Sequence, residues 1–262
     1  MNENVDIFVF ADREFEKCPD NPCYKLVSAE PIQNTHGLEN VVIDHNKWRL
    51  KDLEHAYSEG ARIDYIRQNY KLKDYVGTAH YRRYFGFYNN IPNINDIFKD
   101  YDAILPSFNI NNLSLFTQYS SVHNENDVFE CIDIIRDRFP EYFNTAIKSF
   151  GEDLLYPCNI FIVKKETFLR WCDFVFGVLD ELNTRRGYKS DSDVAKWVLG
   201  HKSDYGVDSP TDVWYQSRIH AFLMERLSTI FFRKEAENPL ILKMALTEGY
   251  YRDNFTSNYI LI

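Results

Sequence analysis

Asp74 to Phe85 reads DYVGTAHYRRYF, and the change of character halfway along it decides the fold. Tyr75-Val76-Gly77-Thr78-Ala79 is an apolar run of the length and residue type of a strand buried on both faces. It passes at once into His80, Tyr81, Arg82, Arg83 and Tyr84, closed by Phe85-Gly86. In open α/β sheets, ligands bind beyond the carboxyl ends of the strands. This strand therefore delivers one imidazole and two guanidiniums to the place where a ligand would sit. Guanidinium stays charged at any working pH, and its planar fork of donors suits phosphate. The competing reading is a solvated strand end whose Arg stems lie on aromatic rings.

Working outward, apolar runs alternate with helical periodicity, which argues for a mixed α/β sheet flanked by helices. Val5 to Phe10 (VDIFVF) is a first strand, followed by the turn Ala11-Asp12-Arg13. Asp12 at this junction is a candidate for binding a ribose or base edge, or an ordinary turn aspartate. Neither GxGxxG nor a P-loop follows, so those phosphate-binding motifs are not supported. Val41-Val42-Ile43 reads as a second strand, ending in Asp44, His45 and Asn46. Lys51 to Tyr70 predicts one helix, with Leu53, Ala56, Tyr57, Ile63, Ile66 and Tyr70 as its apolar stripe. Glu59 falls on that stripe, and a carboxylate facing a core needs a partner. Arg82 and Arg83 are available candidates.

Further on, Ala103 to Pro106 reads as a strand and Ser107 to Ser121 as a long polar loop. A helix capped around Asn126 ends at Pro140, Asn159 to Val163 is another strand, and Glu166 to Leu182 another helix. Ser209, Pro210 and Asp212 mark a helix start. Along that helix Arg218, Phe222 and Glu225 share a face, because seven residues make almost two turns. Leu240-Ile241-Leu242 is a late strand, and 248–262 is left unassigned.

The 262 residues contain no linker, repeat or low-complexity block, so one domain spanning 1–262 is the simpler organisation. A net charge of −9 argues against nucleic acid, whose partners carry a basic face. Arg82-Arg83 and Arg185-Arg186 remain local basic patches suited to a small anion. The N-terminus lacks a signal-peptide pattern, and no apolar stretch is long enough to span a bilayer. Five scattered cysteines, with Cys18 and Cys23 flanking PDNP but no second pair, suit reduced cytosolic thiols better than zinc or disulfides. Asp191-Ser192-Asp193 is a literal Asp-x-Asp, a spacing at which two carboxylates can hold a divalent cation. It lies in a polar stretch rather than after an apolar strand and reads as a decoy. No metal is firmly expected, although Mn²⁺ or Mg²⁺ stays open.

HYRRYF at 80–85 resembles the signature of a bacterial polysaccharide-synthesis family designated domain of unknown function 4422, grouped with galactofuranosyltransferases as glycosyltransferase family 111. Four more segments resemble it. EGARIDYIRQN at 59–69 matches the family's helix at Glu59 and Asn69 but lacks its tryptophans. YSSVH at 119–123 is similar to its Y-x-x-x-H, and NIFIVKK at 159–165 to its NMFIMKK. RIHAFLMERL at 218–227 is similar to its RxxGFxxERL, with Ala221 for glycine. The resemblance implies a nucleotide-diphosphosugar transferase fold of type A. It also implies transfer of a hexose, galactofuranose first, from a UDP-sugar to a growing capsule, exopolysaccharide or O-antigen glycan, with inversion.

On that footing Glu225, then Glu59, are the general-base candidates, with His80 beside them. Ala11, Asp12, Asp44, His80, Tyr81, Arg82, Arg83 and Tyr84 would meet the donor. His123, Asn159 and Arg218 would meet the acceptor. Such acceptors are often lipid-linked, so the inner face of the membrane joins the cytoplasm as an expected location. A silent nucleotide- or glycan-binding protein, or a scaffold subunit of an assembly complex, is the alternative.

Overall fold

The computed structural model describes residues 2–15, 19–87, 89–110, 112–206 and 212–246. Cys18, Ser209, Pro210 and the tail 248–262 lie outside them. The strands are β1 (Val5–Phe10), β2 (Tyr24–Ser28), β3 (Glu39–Val42), β4 (Tyr75–His80), β5 (Arg83–Phe85) and β6 (Ala103–Leu105). Then come β7 (Phe108–Asn109), β8 (Leu154–Leu155), β9 (Phe161–Lys164), β10 (Pro239–Ile241) and β11 (Met244–Leu246). In the main sheet the order is β10-β6-β9-β4-β1-β2-β3, with β5 paired to β4 and β11 to β5. β3, β2, β1 and β4 run parallel, whereas β9 is antiparallel to both of its neighbours. β7 and β8 form a separate ribbon.

Burial on both faces explains the apolar runs. In β1, Phe8 and Phe10 enter one core, and Val5, Ile7 and Val9 enter the other. Gly77 in β4 sits between Ile7 and Ile162, where an added Cβ would lie 2.9 Å from Ile7 Cγ1. The strand carries glycine because its neighbours already fill that space.

The helices are α1 (Glu54–Tyr57), α2 (Glu59–Asn69), α3 (Ile94–Asp100), α4 (Leu115–Val122) and α5 (Glu125–Arg138). They continue with α6 (Pro140–Gly151), α7 (Lys165–Arg186), α8 (Asp191–Gly200), α9 (Val213–Gln216) and α10 (Ile219–Glu235). The larger core lies under α2, α5, α6, α7 and α10. Among the described residues, no helix is long and apolar enough to cross a membrane.

Several sequence expectations are corrected. The second strand is Tyr24–Ser28, and the segment read as second is the third, at Glu39–Val42. The helix predicted over Lys51–Tyr70 breaks at Ser58, whose φ of 50° lies in the left-handed region. Glu59 therefore opens a new helix instead of riding mid-helix. The polar stretch 107–121 is not a loop throughout: Ser114 caps α4, accepting from the Thr117 N–H. Asn124, rather than Asn126, caps α5. Pro140 ends one helix and starts the next, because a proline at the first helical position has no N–H to miss.

Candidate active site

β1 and β4 end in register, Phe10 opposite His80. Because β9 is antiparallel, Asn159, in the short 3-10 turn Pro157–Asn159 that leads into it, arrives at this same edge, where its carbonyl accepts from the Thr78 hydroxyl. Here a cavity of about 580 Å³ opens, a size ordinary for a small-ligand site. Asp12 and Arg13 line it from the end of β1, and His80, Tyr81 and Arg82 from the turn between β4 and β5. Lys51, Glu54, His55, Ser58, Glu59 and Arg62 come from the segment around the Ser58 break. Trp214, Arg218 and Asp191 complete the wall. Arg13, Lys51, Arg62, Arg82 and Arg218 outnumber Asp12, Glu54, Glu59 and Asp191, so the cavity is basic within an acidic chain.

Some of these charges are already paired. Arg13 holds Asp12 at 2.8 Å, and its hydrogen bond keeps that carboxyl below its usual range. Buried Arg62 bonds Glu54 at 2.6 Å. The Asp191 carboxylate accepts the His55 and Ala56 backbone N–H groups, at 3.0 and 2.9 Å, and so caps α1 from across the chain. Asp193 exchanges hydrogen bonds with Ser190, the N-cap of α8. The two carboxylates of the Asp-x-Asp thus serve different helix ends. Among the described residues, no three His, Cys, Asp or Glu side chains gather as a metal site.

Glu59 lines the cavity and accepts from Asn159 Nδ2 at 3.1 Å. Desolvation raises its carboxyl above the ordinary range, and nearby Glu225 adds to the effect. Gly60 faces α10, and an added Cβ there would sit 2.5 Å from Met224 Cε, the flexible end of that side chain. Arg218 donates through Nε to Ser58 Oγ at 2.9 Å.

The other sequence candidates are placed as follows. Glu225 is outside the cavity lining; it accepts from the Cys158 backbone N–H at 2.8 Å and pairs with Arg226 at 3.1 Å. Tyr84 is wholly buried, donating to the Tyr81 carbonyl and meeting Tyr24 edge-on, so it belongs to the core. Arg83 is buried in β5, one residue beyond the cavity-lining turn. Ala11 extends the strand end, its N–H reaching the Val27 carbonyl. Asp44 caps a short 3-10 turn and stands off the cavity. His123 is buried against Phe222, its Nδ1 at 2.9 Å from Gln216 Oε1. Arg185 and Arg186 are taken up by Glu181, Asp137, Asp127 and Glu130. Lys51, His55, Arg62 and Trp214 were not read as site residues, since nothing local in the sequence ties them together.

Burial, with the Arg83 and Arg82 charges adding to it, holds the His80 imidazole down to about 3. His123 and His220, also buried, are held equally low. All three are neutral when folded and take up a proton on unfolding anywhere between their ordinary 6.5 and about 3. Stability from them is complete above 6.5 and falls by about 1.4 kcal/mol per pH unit for each proton on acidification. Glu59 and Asp127, raised by burial, offset part of this. Urea midpoints are expected to drop between about pH 7.5 and 5; a flat or rising profile would contradict the assignment.

Residues 6–208 match the model of the family described as domain of unknown function (DUF4422). No curated protein matches the sequence. Among solved structures, the apo structure of the WbbM bifunctional glycosyltransferase superposes on 94% of this chain with a TM-score of 0.66 and 15% identity. The chain spans 46% of the length of that structure. The architecture, a mixed sheet flanked by helices, is a type A glycosyltransferase-like fold.

Proposed function

The chain belongs to the DUF4422 family, and from that premise we propose that it is a glycosyltransferase moving a hexose from a UDP-sugar to a hydroxyl of a surface glycan. Galactofuranose is the first candidate, with HYRRYF as the signature of that grouping. The carrying observation is the basic strand-end cavity of a type A glycosyltransferase-like fold, with a half-buried, desolvated Glu59 in its wall.

In this reading the donor diphosphate lies against Arg82 and His80, with Arg13, Lys51 and Arg218 contributing positive potential. The acceptor oxygen bonds to the anomeric carbon as the bond from that carbon to the diphosphate breaks, with inversion. The acceptor proton passes to Glu59, and UDP departs with the electron pair. Glu59 takes this role ahead of Glu225 because it borders the cavity, whereas both Glu225 oxygens already accept hydrogen bonds. Fixed guanidiniums aimed at developing charge stabilise a leaving group without having to reorganise. His80, neutral at working pH, donates a hydrogen bond instead of carrying charge.

A thermal-shift screen against UDP, other nucleoside diphosphates and UDP-sugars, with Mn²⁺ or with EDTA, tests this. A ligand bound only by the folded state raises the melting temperature. A UDP-selective rise is expected in EDTA as well as in Mn²⁺. No rise with any nucleotide would remove the donor site, and a rise that requires Mn²⁺ would transfer the diphosphate role to a bound cation.

A further inference from the structure

The most exposed of the large apolar side chains described is Trp214, 56% accessible at the mouth of the cavity. It is also firmly held. The His55 ring stacks on one indole face, with centroids 3.6 Å apart and planes 17° from parallel. His55 Nε2 lies 2.6 Å from the Trp214 carbonyl, which also accepts from Ser217 Oγ at 2.8 Å. The Trp214 N–H is capped by Asp212 Oδ1 at 2.9 Å. Asp191 in turn fixes the backbone of His55. A tryptophan immobilised on one face and open on the other offers stacking area at little further cost in entropy.

We propose that Trp214 is the platform on which a sugar ring of the acceptor stacks, with His55 as its backing and Asp191 as the positioning residue behind both. The proposal rests on the transferase reading and deepens it. The C–H face of a hexose matches an indole face, while ring hydroxyls find donors and an acceptor in Lys51, Arg218 and Glu54 of the same wall. Its location favours the acceptor over the donor. His55 precedes Glu59 by four residues across the Ser58 break, and Arg218, four residues after Trp214, bonds Ser58 next to Glu59. A ring on Trp214 thus lies on the side of the cavity that carries the proposed base, where an acceptor hydroxyl has to be.

The test compares wild type, Trp214→Phe and Trp214→Ala. Binding of methyl glycosides of galactopyranose, galactofuranose, glucose and mannose is followed into the millimolar range by ligand-observed NMR on all three proteins, and by tryptophan emission on the wild type. UDP thermal shifts are measured on the same samples. At least one glycoside is expected to perturb the wild-type emission, with affinity lowered about tenfold in Trp214→Ala and less in Trp214→Phe. The UDP shift should be unchanged in both variants. Failure of every glycoside to perturb the wild type, or an unchanged affinity in Trp214→Ala, overturns the proposal. So does loss of the UDP shift in a folded Trp214→Ala, which would make the indole a nucleobase platform. Glycoside binding through Trp214 in a wild type that shows no UDP shift would uphold the platform and reject the transferase.

Discussion

Glu59→Gln is expected to lower turnover by about 10²- to 10⁴-fold, the usual worth of a general base, while raising the melting temperature at pH 8. Both effects follow from the setting of this carboxylate, held by a hydrogen-bond chain and raised by desolvation. The indole N–H of Trp171 can only donate, and it donates to Ser228 Oγ at 3.1 Å. The Ser228 hydroxyl donates onward, to Asn159 Oδ1 at 2.8 Å. This fixes the Asn159 amide with its NH₂ toward Glu59 Oε1. A glutamine keeps that acceptor oxygen and the shape of the site but cannot take a proton. Its stability gain follows from the raised carboxyl. With a folded-state value above the ordinary 4.5, the ionised side chain destabilises the fold at any higher pH, and the cost disappears below 4.5. The advantage of the glutamine variant should therefore be present at pH 8 and vanish on acidification. Unimpaired turnover would sink the base role, and a lower melting temperature at pH 8 would sink the electrostatic account.

Arg82→Ala is expected to cut turnover by about 10²- to 10³-fold, as losing one preorganised donor to a developing anion does, and to shrink the UDP thermal shift. Arg82 sits in the two-residue turn between β4 and β5, its guanidinium over the Tyr81 ring at 5.6 Å, within the cavity wall. Lysine at this position should recover only part of the activity, because a point charge lacks the donor fork. The neighbour supplies the control. Arg83 is buried in β5, so Arg83→Ala should act first on stability and on KM and turnover only through the displaced turn. A folded Arg82→Ala enzyme with normal turnover would remove the leaving-group role.

What the sequence disclosed depended on how local the cause was. VDIFVF, YVGTAH and the strand after Asn159 were legible because burial on both faces leaves uninterrupted apolar runs. YKLVS was not, since Lys25 breaks the run to pair with Glu39 on the next strand. The Ser58 break was hidden because apolar spacing carries on across it. The turn from His80 to Arg82, Glu59 and Arg218 could be picked out by residue type within their own segments. Arg13, Lys51, His55 and Trp214 could not, because only the fold brings them together. Asp191 and Asp193 illustrate the reverse. Their spacing suggests chemistry, yet one carboxylate caps α1 from a distant segment and the other caps its own helix.

The pairing of β11 with β5 sets the order in which a newly made chain acquires this site. Met244–Leu246 closes the outer edge of Arg83–Phe85, and Pro239–Ile241 closes that of β6. At common rates of synthesis, about 10–30 s separate the emergence of the hairpin from that of the strand covering it. Throughout that interval an apolar strand edge containing Tyr84 and Phe85 stands open to other nascent chains. Among the described strands, the one backing the turn that carries Arg82 is thus the last to emerge during translation, and crowded expression should cost yield there before elsewhere in the sheet.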